Sequence, residues 1–358
     1  MKFNTQKNTR PKIQAIDLFC GAGGLTCGLR KAGIKVKAGI DIDIKCEYAF
    51  SHNNKAKFIA RSISDVSGSE LKKLLKGADF SLLAGCAPCQ AFSNYNRKAN
   101  DTDLRWRLLL EFGRLVSEMR PTFVTMENVP QLAQKGKEIF LEFIDQLKLI
   151  GYHLDWKIIH CQNYGLPQKR NRLVLLGSLL GPIKILTAEE FGAKPKTVRD
   201  VISSLEPIHA GEISKADPLH KTCKLSALNL ARIQASKPGG TWRDWPEDLR
   251  SCCHKKKSGN TYQSVYGRMS WDEPSPTITT QFVGYGTGRF GHPEQDRAIS
   301  LREGAILQSF PVDYEFVPPD QKIDLFPIAR MIGNAVPVII GELIGTSFLR
   351  HIDKNLGN

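Results

Sequence analysis

Two cysteines separated by two residues, Cys86 and Cys89, lie in the segment GCAPCQAFS over residues 85–93. This spacing is compatible with a redox dithiol, with half of a metal site, or with one nucleophile beside an unreactive neighbour. The thiolate is the reactive form of cysteine, and helix N-terminal dipoles or nearby cations stabilise it. The other side chains that share the site therefore decide between these three interpretations.

Three further side chains favour the nucleophile. Glu127 ends an apolar stretch, TFVTMEN, and Arg170 and Arg172 precede another in QKRNRLVLLG. Two arginines two positions apart in a strand point the same way. A thiol, a carboxyl group and an arginine pair at the strand ends of one sheet would meet in one crevice. A dithiol would leave Glu127 and both arginines unexplained.

The segments that carry these residues alternate between strand-like and helix-like patterns from residue 13 to about 177. The predicted strands are 13–20, 36–42, 80–85, 122–128, 154–160 and 172–178. The predicted helices are 24–33, 44–52, 69–76, 103–119 and 136–150. Strands that alternate with helices predict parallel βαβ units, and hence an α/β protein with a doubly wound sheet.

The strand ends also carry the features of an adenosyl site. A glycine-rich turn at 21–24 follows the first strand, where it lets the backbone approach a ligand closely. Its G-x-G-G pattern disfavours an ordinary dinucleotide fingerprint. Asp41 ends the second strand, where an acid can bond ribose hydroxyls. Asp65 stands where a third strand would end and could accept from an adenine amino group, and Phe19 could pack on the adenine face.

The composition fits an enzyme with a polyanionic partner. The 358 residues include 50 Lys and Arg against 36 Asp and Glu, a net charge of +14 that suits nucleic acid. The N-terminus has no apolar secretory segment, and no run suggests a membrane span. Nine cysteines without such a leader predict reduced thiols in a cytosolic or nuclear protein.

The pattern changes after residue 178. Residues 180–266 are rich in Gly, Pro and Lys and predict a loop-rich second domain. Its Trp242 and Trp245 could be core or could face DNA, and a zinc site at the adjacent Cys252 and Cys253 is disfavoured. Helical patterning returns at about 297, and residues 331–352 predict one final amphipathic helix.

Eight segments in order from about residue 15 to 340 resemble the motifs of the DNA cytosine-5 methyltransferase family. They are DLFCGAGG, GIDID, SDV, GCAPCQAFS, MENV, QKRNRLVLLG, RMSWDEPSPTITT and MIGNAVPV. The resemblance implies a Rossmann-like S-adenosylmethionine-dependent domain with a doubly wound mixed sheet and a smaller loop-rich target-recognition domain. The implied catalytic and cofactor-binding domain is 1–178, and the implied small domain is 179–296, with its variable part at about 180–266. Residues 297–358 would form a C-terminal segment that packs back on the catalytic domain.

The resemblance also implies the chemistry, which is methyl transfer to C5 of a cytosine flipped out of a specific duplex DNA sequence. Cys89 would add to C6 and make C5 electron-rich. Glu127 would hold or protonate N3. Arg170 would contact the O2 side of the base, and Arg172 would position Cys89 or the Glu127 loop. Cys86 would be a neighbour without a chemical role.

The remaining implied assignments concern ligands and partners. The cofactor contacts are Phe19, Gly21, Gly23, Gly24, Leu25, Asp41, Ile42, Asp65, Val66, Pro88, Leu108, Asn334 and Val336, with no metal. The DNA contacts are Ser93, Arg97, Lys255, Lys256 and Lys257. The expected partner is double-stranded DNA, with no membrane and a possible cognate restriction endonuclease. The expected protein is a cytoplasmic, prokaryotic monomer. A tRNA methyltransferase of the same fold and a catalytically silent DNA-binding relative are the alternatives.

Overall fold

A mixed sheet organises the computed structural model, which describes residues 11–88, 102–256, 258–259 and 263–356, with side chains in the helix that starts at 102 described from 108 onward. Its seven strands in this part of the chain are β1 Ile13–Leu18, β2 Lys35–Asp41, β3 Lys57–Ala60, β4 Phe80–Gly85, β5 Phe123–Asn128, β6 His153–His160 and β7 Asn171–Ser178. They lie in the order β3-β2-β1-β4-β5-β7-β6. The first five in that order are parallel, whereas β7 pairs antiparallel with both β5 and β6. The predicted doubly wound mixed sheet is therefore confirmed.

Helices connect the strands and cover both faces of the sheet. They are α1 Gly24–Lys31, α2 Glu47–Asn54, α3 Gly68–Leu74, α4 Thr102–Met119, α5 Lys137–Leu149, α6 Ala188–Phe191, α7 Val198–Ile202, α8 Ala227–Gln234, α9 Leu301–Leu307, α10 Leu325–Asn334 and α11 Val338–Leu356. Neighbouring residues of β4 show the two layers, because Leu83 packs with Phe112 of α4 while Leu82 packs with Leu29 of α1. This alternation follows from the period of two along a strand.

The helices α1 and α11 approach each other closely at a glycine. A Cβ on Gly28 would lie 2.1 Å from the carbonyl oxygen of Val338, so no larger residue fits there without a backbone shift. This contact brings the C-terminal segment back against the sheet, next to the glycine-rich turn. The chain end that carries Asn334 thereby reaches the same side of the molecule as β1.

The C-terminal segment corrects one prediction from the sequence. Residues 331–352 are divided between α10 and α11, with Ala335 in an extended conformation (ψ 144°). Pro337 keeps the chain from resuming the helix at once, because a proline disfavours the helical region for the residue before it, here Val336. The span Leu325–Leu356 is apolar and long enough to be considered as a membrane span, but it is two helices and most of it is buried within the protein.

The chain after β7 contains a separate aromatic core. Trp242 and Trp245 are 3% and 2% exposed and pack with Ile233, Tyr285 and Ala298. Both tryptophans are therefore core residues, which settles the alternative left open by the sequence.

Candidate active site

A cavity of about 460 Å³ opens at the carboxyl ends of the central strands. In a doubly wound sheet this is where ligands bind, and the volume lies in the range of about 300–1,000 Å³ that small-molecule sites occupy. Its wall includes nine predicted cofactor residues: Phe19, Gly21, Leu25, Asp41, Ile42, Pro88, Leu108, Asn334 and Val336. It also includes Glu127, Arg170 and Arg172. The cofactor crevice and the predicted catalytic groups are thus one site.

Glu127 is the central polar group of this wall, and its side chain is only 2% exposed. The Arg172 Nε atom lies 2.7 Å from Oε1 in an ion pair. The Cys86 thiol donates a hydrogen bond to Oε2, with 2.8 Å between sulfur and oxygen. Each carboxylate oxygen therefore has a different neighbour, one a permanent cation and the other a weak neutral donor.

The pairing of β4 with β5 explains the contact between Cys86 and Glu127. Gly85 is paired with Met126 in this parallel register, so the next residues, Cys86 directly after β4 and Glu127 within β5, lie side by side. One position further on, the Asn128 side-chain amide donates to the carbonyl oxygen of Ala87 at 3.1 Å. The chain is thereby fixed up to Pro88, the residue before Cys89. Cys89, Ser93, Arg97 and Lys257 lie outside the described residues.

Arg170 occupies a different environment from Arg172. Its Nη1 donates to the carbonyl oxygen of Ile278 at 3.0 Å, and its Nη2 to those of Gly333 and Ala335 at 3.3 and 3.4 Å. Burial, reinforced by the neighbouring Arg172, lowers the pKa of the Arg170 guanidinium to about 9, which leaves it charged at neutral pH. Backbone carbonyl oxygens thus bind the Arg170 guanidinium, which the sequence analysis assigned to the O2 side of the base. Arg172 is the arginine beside the Glu127 carboxylate.

The glycines of the predicted cofactor turn divide into two kinds. Gly21 has a positive φ of 48°, and a Cβ there would meet no atom within 4 Å, so it faces open space. A Cβ on Gly23 would lie 2.4 Å from Asn54 Nδ2, and one on Gly24 would lie 2.2 Å from the Val336 carbonyl oxygen. Gly23 and Gly24 are absent from the cavity wall and shape the turn through close packing.

The structure does not bring Asp65 and Val66 to the cavity. The third strand ends at Ala60, and Ser62 and Ile63 lie on the cavity wall instead. A short 3-10 helix over Ile63–Asp65 explains the difference, because its tight turn directs Asp65 to solvent and leaves Val66 buried in the core. The prediction placed the contact too far along the chain because the end of the short β3 was not visible in the sequence.

Asp17 is a cavity residue that the sequence analysis missed. It is 1% exposed, its Oδ2 accepts from the Thr26 hydroxyl at 2.6 Å, and its Oδ1 has no hydrogen-bond partner. Burial raises its pKa to about 7, although the Thr26 bond opposes the shift. The sequence could have indicated Asp17, because it is an acidic residue within the apolar strand IQAIDL. A carboxyl group is rarely buried without a structural or functional role.

Asp41 lies at the cavity but is already engaged by backbone donors. Its Oδ2 accepts from the Gly21 amide and its Oδ1 from the Asp43 amide, both at 2.9 Å. Asp43 in turn pairs with Arg330 at 3.1 Å, which joins the end of β2 to α10 at the cavity wall. Asp41 therefore stabilises the glycine-rich turn and also lines the cavity.

Two of the predicted DNA contacts, Lys255 and Lys256, are exposed and lie outside the cavity wall. The Lys255 ammonium lies 4.0 Å from Glu247. Within the described part of the chain, no three His, Cys, Asp or Glu side chains cluster as a metal site would require.

Comparison with known proteins places this arrangement in a family. The sequence profile of the C-5 cytosine-specific DNA methylases matches residues 13–350. The chain is 51% identical over 339 residues to the type II methylase M.HgiDII of Herpetosiphon aurantiacus, covering 94% of this chain and 95% of that protein. It is 30% identical to the type II methyltransferase M.Eco47II of Escherichia coli, covering 95% and 79%.

A solved structure shows the same fold. The Dnmt2 methyltransferase of S. pombe superposes with a TM-score of 0.66 at 16% identity, covering 97% of this chain and all of that one. The predictions of family, fold and enzyme class are confirmed. The chain belongs to the C-5 cytosine-specific DNA methylases.

Proposed function

We propose that the protein transfers a methyl group from S-adenosylmethionine to C5 of a cytosine flipped out of a specific DNA duplex, with Cys89 as the nucleophile. The observation that carries the proposal is the buried Glu127 carboxylate, held by Arg172 and Cys86 in the cavity wall where the segment leading to Cys89 begins. A buried carboxyl group in the wall of a crevice of this size suits addition to an aromatic ring followed by group transfer, and Cys89, the residue after Pro88, would supply the adding thiolate.

The residues of this chain would act on the base in a fixed order. Carbon 5 of cytosine is a poor nucleophile, and addition of the Cys89 thiolate to C6 makes C5 electron-rich. Glu127 donates a proton to N3 and so offsets the negative charge that develops there, while Arg172 keeps the carboxyl group oriented. After transfer, loss of the C5 proton, with ordered water as the acceptor, lets the thiolate leave. The base must leave the stack first, because C5 and C6 are hidden within a duplex.

The cavity fits the cofactor in size and in polar groups. When bound, S-adenosylmethionine supplies an electrophilic methyl group on a positively charged sulfur. The free Oδ1 of Asp17 would receive the ammonium of its amino-acid portion, and the end of β2 at Asp41 would receive the ribose. Ile63 and Leu108 would pack on the adenine from the apolar side of the wall. No metal has a part in this scheme.

The biological setting is proposed from the named relatives. M.HgiDII and M.Eco47II are type II methylases, and by analogy this protein would modify a short recognition sequence in a restriction–modification system. The small domain at 179–296 would read that sequence, and the segment at 297–358 would complete the cofactor site. A monomer in the prokaryotic cytoplasm, with a cognate endonuclease as a functional partner, completes the proposal.

Transfer of labelled methyl groups tests the substrate. Purified protein is incubated with labelled S-adenosylmethionine and either duplex DNA or tRNA, and we expect label in the DNA only. Label confined to tRNA would overturn the substrate. A duplex with 5-fluorocytosine at the target, which blocks proton loss, should trap a covalent adduct with the native protein and none with Cys89→Ser. Methylation-sensitive sequencing of DNA from expressing cells then identifies the target sequence.

A further inference from the structure

The contact between the Cys86 thiol and Glu127 leads beyond the family assignment. We infer that Cys86 is a positioning residue, whose thiol holds the Oε2 atom of Glu127 in the orientation that receives the target base. The inference rests on the proposed function, because it concerns how Glu127 is oriented for that reaction. It also departs from the expectation, drawn from the sequence alone, that Cys86 has no chemical role.

Two different donors fix the carboxylate plane. Arg172 Nε lies 2.7 Å from Oε1, and Cys86 Sγ lies 2.8 Å from Oε2. With Arg172 alone, the carboxylate could turn about its last side-chain bond, because that bond has a broad torsional profile. The second contact removes this freedom. Glu127 therefore enters the reaction with both oxygens already placed, which reduces the reorganisation needed in the transition state.

The chemistry of the thiol determines which oxygen meets the substrate. A thiol is a weak, neutral donor, whereas the guanidinium is a charged and strong one. A base that approaches Glu127 displaces the weaker partner first. Oε2 is thus the oxygen that turns to the cytosine, and Oε1 stays on Arg172.

The central sheet holds both Cys86 and Glu127, so it also fixes the contact between them. Cys86 follows β4 directly, and its amide donates to the Leu18 carbonyl oxygen at 3.3 Å. Glu127 lies within β5, the neighbouring strand. Since both ends are set by the central sheet, the thiol is in place before any substrate binds.

The test compares substitutions that keep or remove the donor. Cys86→Ala should lower kcat about tenfold, because the Glu127 carboxyl group is then no longer oriented before the base arrives, while KM for duplex DNA changes little. Cys86→Ser keeps a donor and should recover most of that loss. The pH profile of kcat should shift for Cys86→Ala and return with Cys86→Ser, because the donor acts on the Glu127 carboxyl. Cys27→Ala, which removes a thiol outside the cavity wall, is the control and should match the native protein.

The outcomes separate the inference from the proposed function. If the native protein fails to methylate duplex DNA, the proposed function fails and the inference fails with it. If the native protein is active and Cys86→Ala equals Cys27→Ala, only the inference is overturned. Equal impairment of Cys86→Ser and Cys86→Ala also overturns it, since that result assigns Cys86 to packing. Should Cys86→Ala not fold, Cys86→Val fills the same space without a donor and replaces it in each comparison.

Discussion

Arg170 donates a hydrogen bond to the carbonyl oxygen of Ile278 at 3.0 Å and so ties the residue before β7 to the chain between α8 and α9. The same guanidinium reaches the carbonyl oxygens of Gly333 and Ala335, which flank Asn334 on the cavity wall. One buried cation thus joins the chain that enters β7 to the chain at Ile278 and to the C-terminal end of α10. Its role in the fold differs from that of Arg172, two residues further along.

The two arginines should give opposite phenotypes when substituted. Arg170→Ala leaves buried carbonyl oxygens without a donor and should destabilise the protein by about 3 kcal/mol. Arg172→Ala, at a residue that is 13% exposed, should reduce kcat at least tenfold with a small change in Tm. Thermal unfolding and methyl transfer measured on both variants check this. A stable Arg170→Ala protein that has lost only activity would contradict the assignment.

Asp17 should make the cofactor-free protein sensitive to pH near neutrality. Its pKa is raised to about 7 in the fold, so its contribution to stability is complete below about pH 4 and is lost as the pH rises through 7. Asp17→Asn removes this dependence. The free energy of unfolding of the variant, measured by chemical unfolding, should therefore rise relative to that of the native protein between pH 5 and pH 8, by about 1.4 kcal/mol for each unit of the pKa difference.

The same residue predicts a pH dependence of cofactor binding. If Asp17 receives the ammonium group, it must be ionised, and affinity for S-adenosylmethionine should rise as the pH rises through about 7. Calorimetric titration of the native protein and of Asp17→Asn checks this. The variant should bind more weakly and lose the rise. Identical profiles for the two proteins would place the ammonium group elsewhere.

Much of this site was predictable from the sequence because strand ends are visible as pattern changes. All six predicted strands occur, and Glu127 lies at the cavity with most of the predicted cofactor residues. The two arginines were not separable, because Arg170 precedes β7, which begins at Asn171, and the period of two does not extend beyond the strand. The Cys86–Glu127 contact depends on the register of β4 with β5, and a single sequence does not encode register in readable form.

A buried ion pair in the C-terminal half predicts acid sensitivity. Arg297 and Glu303 are 0% and 1% exposed and make two hydrogen bonds of 2.7 and 2.8 Å, with His292 a further 3.6 Å contact. Burial alone would raise the pKa of Glu303, but the bonds to Arg297 and the nearby charges lower it to about 2. Its contribution to stability is therefore present above about pH 4.5 and is lost as the pH falls through 2.

Glu303→Gln tests this ion pair. The variant leaves Arg297 buried without its counter-charge and should lose about 3–5 kcal/mol at pH 7. Its stability should also fall less steeply than that of the native protein between pH 5 and pH 2. Chemical unfolding at a series of pH values measures both effects. Parallel curves that differ by a constant offset would show that Glu303 is not the group that titrates.

Lys255 and Lys256 should contribute to DNA affinity without contributing to sequence choice. Both are exposed, and lysines that contact phosphate release counterions on binding. Replacing each with alanine should lower the slope of log K against log salt by about one unit and weaken specific and non-specific duplexes alike. Lys148→Ala, an exposed lysine on α5 paired with Asp145, is the matched control. Fluorescence anisotropy at several salt concentrations measures the slopes, and an unchanged slope for both variants, as for Lys148→Ala, would remove these lysines from the DNA interface.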